Sequence, residues 1–409
     1  MKHFLPFLFY TLSLHAADSF VAKPLTLEVG DPQLIHPDAV FPYLWTLRDG
    51  SALLQVATGS RTYRRAPDFE YKQQNPSYLV SRDGLKTWQP WEAAAGVKDL
   101  PWLEGAALQL NDGSILMFEY IANKVGEGQY QNLLWRSTPG WKSLTGPEPV
   151  LVSVPQYERE GDSDLGTPFK AIPWHRSVVE LPNGHLIAAI YGRFQGDNTP
   201  TDYQPSMKKF RAFTVISRDK GKSWSYQATI AAAPVEQEGF GEPVLIRLRS
   251  GRHQGRLIAI MRTGRANPLY QSESDDNGVT WTEARPLRWM YSRFGKFRDI
   301  AGADPDLIEM QDGTLALTFG HKPDMEDDGN FIAFSVDQGQ SWTQVTRLSM
   351  DRTCAYTSVR EIAHGQLYVV YSAGGHSTRP WTAPQGSASW RYSGFKILGQ
   401  RIRVTRPSR

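Results

Sequence analysis

The chain of 409 residues holds one cysteine, Cys354, so no intrachain disulfide braces it and the fold rests on its own core. Nothing around Cys354 supplies a Cys/His arrangement, which makes it a small buried hydrophobe rather than a nucleophile. No Cys/His spacing suits zinc and no glycine-rich strand-to-helix turn suits a nucleotide, so no cofactor is expected. No apolar run, the opening one included, is long enough to span a bilayer. Lysine and arginine total 45 against 42 acidic residues, a formal charge of +3, and no long basic run stands out. A nucleic-acid partner is therefore excluded, while the slight positive balance suits a small anionic ligand. Sustained apolar spacing near 3.6 residues is missing as well, which excludes a helical bundle.

What is present is aromatic and turn-rich: 13 Trp, 17 Tyr, 18 Phe, 35 Gly and 27 Pro. That mixture favours many short strands joined by tight turns, an all-β chain. At the start, Met1, Lys2 and His3 precede the apolar run Phe4 to Leu14, with Ala16 and Ala17 behind it. This pattern reads as a signal peptide over residues 1–17, with export to the periplasm or medium. Residues 18–409 then form one domain, with no linker and a monomer expected.

Self-similarity organises that domain. Ser217, Asp219, Gly221, Ser223 and Trp224 recur as Ser274, Asp276, Gly278, Thr280 and Trp281, and again as Ser335, Asp337, Gly339, Ser341 and Trp342. A fourth copy, Ser81, Asp83, Thr87 and Trp88, places Leu85 where the others have glycine, with Gly84 one place early. The segment from Trp135 to Trp141 is a decayed copy. The chemistry is local: aspartate accepts backbone N–H groups across a turn, glycine takes a positive φ, and tryptophan packs between sheets. These aspartates are structural.

A second signal is an apolar strand ending in a turn glycine, at Gly50, Gly113, Gly184, Gly255, Gly313 and Gly365. The intervals of 63, 71, 71, 58 and 52 residues fit four-stranded antiparallel blades with variable loops, predicting a six-bladed β-propeller. Segments from Phe20 to Val29 and from Phe395 to Val404 remain as strands that together complete one blade and close the ring.

The repeated turns resemble the Asp boxes of the sialidase superfamily along nearly the whole mature chain. Such boxes also occur in glycan binders and lyases, so the site residues are read one by one. Sialidases of this pattern use a tyrosine nucleophile, because a neutral phenol approaches an anomeric carbon bearing a carboxylate without repulsion. The resemblance implies Tyr356 as nucleophile and Glu242, between Gly241 and Pro243, as the base that assists it. It implies Arg262 as one of three arginines that grip the substrate carboxylate. At the position of the first arginine the chain has Phe41, and near the third it has His321 and Lys322. The acid falls on the loop Gly59 to Glu70, where Asp68 fits best and Glu70 second, with Arg61, Arg64 and Arg65 able to replace the lost anion contacts.

Further polar residues open predicted blades: Glu104, His175 with Arg176, and Asp304 with Asp306. The two aspartates, two apart on a strand start, point to one side as an acid/base or metal pair or as loop caps. His175 and His321 are candidate acid/base groups if the chemistry is not a sialidase's. The expected function is that of a retaining exo-glycosidase taking a terminal acidic sugar, sialic acid first, from a glycan. Its alternatives are a hydrolase or lyase for a uronic sugar, with Arg or Lys neutralising the carboxylate, and a non-catalytic glycan-binding propeller.

Overall fold

The structure, a computed structural model, describes residues 25–58, 61–62, 76–98, 100–104, 106–157, 171–202, 207–264, 266–290, 297–321, 329–378 and 391–407. Within them the chain is all-β, with helix confined to the short 3₁₀ turns Glu92–Ala94 and Pro139–Trp141. No helix among the described residues is long and apolar enough to cross a membrane. The predicted leader, Asp68, Glu70, Arg64, Arg65 and Lys322 lie outside the described residues.

Three sheets have the expected form of four antiparallel strands in sequence order. The first runs Ala39–Thr46, Ala52–Thr58, Pro76–Ser81 and Gln89–Pro90. The others run Gly241–Arg247, Leu257–Arg262, Tyr270–Ser274 and Arg285–Pro286, and Ala303–Glu309, Leu315–His321, Gly329–Ser335 and Thr343–Ser349. Residues 107–231 depart from that form by merging into a single nine-stranded sheet. Its two halves join where Thr145–Ser153 pairs in parallel with Ser223–Ala231, Leu151 opposite Ser223. The parallel pairing covers two outer edges that would otherwise present unpaired backbone groups.

The last sheet joins the two ends of the chain, as the leftover strands foretold. Thr357–Ala363 pairs with Gln366–Thr378, which pairs with Arg391–Thr405, which pairs with Thr26–Val29 in a register that sets Thr26 against Thr405. Gln33–His36 and Arg61–Thr62 also pair with the long C-terminal strand.

First strands of successive sheets touch one another and return to their start. Tyr43 Oη donates to Glu104 Oε1 at 2.8 Å, Arg176 N to Glu104 O at 3.1 Å, and Leu245 N to Ser177 Oγ at 2.7 Å. Asp304 N then donates to Glu242 Oε2 at 3.2 Å, Thr357 N to Asp304 Oδ2 at 3.1 Å, and Ser358 Oγ to Pro42 O at 3.3 Å. The entrance of each such strand carries a non-glycine residue in the left-handed region: Phe41, Glu104, Arg176, Glu242, Asp304 and Ala355, with φ between 36° and 82°. Pairing with the second strand slips at several of these points, between Val40 and Tyr43, Trp174 and Val178, Gly241 and Val244, and Ala303 and Asp306. Such bulges re-aim a side chain at a cost of about 1–3 kcal/mol each, which the surrounding packing must offset.

The repeated turns hold as read. Asp219 accepts from Ser217 Oγ at 2.7 Å, Ser223 N at 2.9 Å and Ser223 Oγ at 2.6 Å, and Asp276 and Asp337 repeat the pattern. Trp224 packs edge-on to Trp174 and to Phe118, at 4.8 and 5.5 Å between centroids, so one turn ties neighbouring sheet regions together. The decayed copy keeps its tryptophan: Trp141 lies buried, edge-on to Trp91 at 6.3 Å.

At the irregular copy, Leu85 takes the glycine's place with φ 63° and its N–H still reaches Ser81 Oγ at 3.1 Å. Its side chain is buried with Leu54 and Val370. The strained backbone costs about 1–2 kcal/mol, while emptying a buried leucine site costs about 2–5 kcal/mol. Burial wins, so Leu85→Gly is expected to destabilise the protein by about 1–3 kcal/mol despite restoring the consensus residue, measured by urea denaturation. A gain in stability would contradict this ranking.

Candidate active site

The strained entrances collect Tyr43, Glu104, His175, Arg176, Glu242, Asp304 and Tyr356 around one centre. Tyr356 Oη donates to Glu242 Oε1 at 3.3 Å, and Arg262 Nη1 donates to the same oxygen at 2.6 Å. Tyr356, Glu242 and Arg262, named separately in the sequence, therefore meet. Burial disfavours charge on Glu242, but the Arg262 guanidinium, the His175 ring and the Asp304 N–H outweigh it and hold the carboxyl below its usual value. Glu242 is thus an ionised acceptor beside a phenol.

Arg262 is gripped on its other side by Glu238, Nη2 to Oε1 at 2.8 Å. Glu238 went unnoticed in the sequence; its only signal was a second acid four residues before Glu242 in one loop. Phe41, at the position where the resemblance expects an arginine, sets its ring edge-on to Tyr356 with centroids 4.5 Å apart. An anion contact has become a wall that holds the phenol ring.

Asp304 is fully buried and its carboxylate is taken up by the protein. Arg176 Nε donates to Oδ1 at 3.0 Å, and Arg176 Nη2 donates to Oδ2, which also accepts from Thr357 N. Asp306 accepts from Val359 N at 2.9 Å and from Arg360 Nη1 at 2.7 Å, and lies 3.4 Å from Arg176 Nη1. The predicted aspartate pair thus anchors arginines and backbone.

His175 Nε2 sits 3.1 Å from Asp304 Oδ1, and neither ring nitrogen makes a hydrogen bond. His175, Glu242 and Asp304 do bring one donor atom each within 4.8 Å of one another, a spacing that fits a cation. Arg176 and Arg262 already neutralise both carboxylates, and a dication between two guanidiniums would be repelled. His321 ends the strand Leu315–His321, edge-on to Phe331 at 6.2 Å.

Glu104 differs from the other acids. Only 4% exposed, it accepts from Tyr43 at Oε1, while Oε2 is buried and makes no hydrogen bond, although the Tyr120 phenol stands near enough to favour its charge. Burial, with Glu242 and Asp304 adding repulsion, pushes its carboxyl well above the usual range. The Tyr43 phenol is raised as well, chiefly by burial, and remains a donor.

Ring-arranged sheets, repeated turns and a Tyr/Glu/Arg centre define a sialidase-like β-propeller, and the comparisons agree. The model of the BNR repeat-like domain matches residues 109–369, and the chain belongs to that family. The anhydrosialidase of Macrobdella decora is 26% identical over 145 residues, which cover 34% of this chain and only 17% of that protein. Among solved structures, a protein of unknown function from Dyadobacter fermentans aligns over 92% of this chain and 99% of its own, with TM-score 0.59 and 20% identity. The Hadza microbial sialidase Hz136 aligns over 92% of this chain and 68% of its own (TM-score 0.56, 14% identity). An α-L-arabinanase of Penicillium chrysogenum aligns over 90% and 98% (TM-score 0.55, 15% identity). At these identities the structural likenesses show the fold.

Removing one partner of a buried ion pair leaves the other uncompensated, at about 3–5 kcal/mol. Asp304→Ala is therefore expected to lower unfolding free energy by about that amount, read from denaturant titration. A change below 1 kcal/mol, on the order of a surface pair, would mean that Arg176 finds another partner.

Proposed function

We propose that this protein is an exported, retaining exo-glycosidase on a six-bladed propeller. Tyr356 is its nucleophile, Glu242 its base, and a terminal acidic sugar, sialic acid first, its substrate. The observation that carries this reading is the 3.3 Å contact of the Tyr356 phenol with a carboxylate that Arg262 keeps ionised. As Tyr356 Oη bonds to the anomeric carbon, its proton passes to Glu242 and the aglycone oxygen leaves with a proton from an acid. Water then displaces the tyrosine from the face that the aglycone left, so two inversions retain configuration. A phenol is the apt nucleophile where a carboxylate on the anomeric carbon would repel Asp or Glu. The convergence of base and nucleophile favours turnover over mere glycan binding.

One observation favours a second reading, an uncharged sugar. Both terminal nitrogens of Arg262 are held by Glu242 and Glu238, Arg176 is held by Asp304, and Phe41 replaces a cation. Arabinanases and arabinofuranosidases among the similar folds suit that reading.

Sialyl and arabinofuranosyl aryl glycosides assayed side by side separate the two, and an absorbing unsaturated product from a uronate would point to elimination instead. Tyr356→Phe and Glu242→Gln are each expected to cut kcat at least ~10²–10⁴-fold with the fold intact. Wild-type turnover persisting in Tyr356→Phe would remove the nucleophile assignment. Because Glu242 acts ionised and its carboxyl is held low, kcat/KM should persist as pH falls through 4.5 and decline only below it. An acid limb above pH 5, about half a unit higher than an ordinary glutamate, would show that another group limits the reaction.

A further inference from the structure

We propose that Glu104 is the proton donor to the leaving oxygen, a role that rests on the glycosidase reading of the same centre. Glu104, just ahead of the strand Ala107–Gln109, and Glu242, in Gly241–Arg247, take the same left-handed backbone, φ 36° and 39°, where the second and fourth sheet units in chain order open. Their settings are opposite. Glu242 is bound by Arg262, whereas the Glu104 carboxyl faces phenols among the described residues: Tyr43 on Oε1 and Tyr120 nearby. Arg176, the cation closest in the chain of contacts, lies over the face of Tyr43 at 4.8 Å and spends its guanidinium on Asp304, Thr357 and Ser358. A buried carboxyl with no cation against it among the described residues keeps its proton, and its raised titration agrees. Two carboxyls of one site driven in opposite directions divide into an acid and a base.

The nucleophile is one ring away. Tyr43, which donates to Glu104, sets its ring edge-on to Tyr356 with centroids 6.1 Å apart. Oε2, buried and without a hydrogen bond, is the carboxyl oxygen that Tyr43 leaves for the proton. In the first step this O–H protonates the aglycone oxygen as the C–O bond breaks and Tyr356 Oη bonds to carbon, its own proton moving to Glu242. In the second, water attacks the carbon and returns a proton to Glu104, while Tyr356 leaves and recovers its proton from Glu242. Protons and electron pairs balance over the cycle.

Leaving-group dependence tests this. With the full chain, Glu104→Gln, which preserves the acceptor for Tyr43, should lose ~10²–10⁴-fold in kcat/KM on a disaccharide or alkyl glycoside and under ~10-fold on a 4-nitrophenyl glycoside. Azide added to Glu104→Ala should yield glycosyl azide of retained configuration. Equal loss on both leaving groups, no loss on either, or dependence that appears in Asp68→Asn instead would overturn the assignment. If Tyr356→Phe is inert while Glu104→Gln follows wild type on both substrates, this role fails and the glycosidase reading stands. If the wild type cleaves no glycoside, both fall.

Discussion

Asp304 is the constraint on which the centre depends. Its N–H fixes Glu242, and its carboxylate fixes Arg176 and the backbone of Thr357, so one residue ties together three first strands besides its own. A buried carboxylate is tolerable only when every lone pair meets a donor, and here the donors come from distant parts of the chain. The geometry between base and nucleophile is therefore a by-product of ring closure: Glu242 and Tyr356 hold their separation because both strands lean on Asp304.

Specificity of position also draws on backbone strain. Residues with φ between 36° and 82° at the strand entrances are unfavourable for side chains bearing a Cβ, yet they carry Phe, Glu, Arg, Asp and Ala. An ordinary extended strand alternates its side chains between its two faces, whereas a bulge turns one toward the axis. The price of that turn is met by close packing around it, with Phe41 and Tyr356 ring to ring, and Tyr43 beneath Arg176.

How much of this could be read beforehand follows from range. Asp boxes were legible because donor and acceptor lie two to four residues apart, as in Ser217, Asp219 and Ser223, and the turn dictates its own residue types. Tyr356, Glu242 and Arg262 were legible through resemblance, and the structure brings them together. Glu238 and Tyr43 were missed because their roles arise from contacts 24 and 61 residues away, which no local pattern announces. Regular four-strand spacing held for the sheets that begin at Ala39, Gly241 and Ala303. It gave way where an outer edge found a parallel neighbour, an outcome of packing between units that intervals between glycines do not encode. Asp304 and Asp306 were noticed as a pair, but alternation along a strand could not tell a ligand site from an anchor for Arg176 and Arg360.

The pairing of Thr26 with Thr405 has a consequence for how the molecule comes to be. During synthesis Thr26–Val29 is made long before Arg391–Thr405, and must stay without that partner while all the intervening sheets are added. Loop closure over such a span is slow, and the exposed edge of the waiting strand is an invitation to other chains. The protein thus matures as a latch rather than a stack: sheets can form in order as they are made, but the last sheet is complete only when Thr26–Val29 meets Arg391–Thr405.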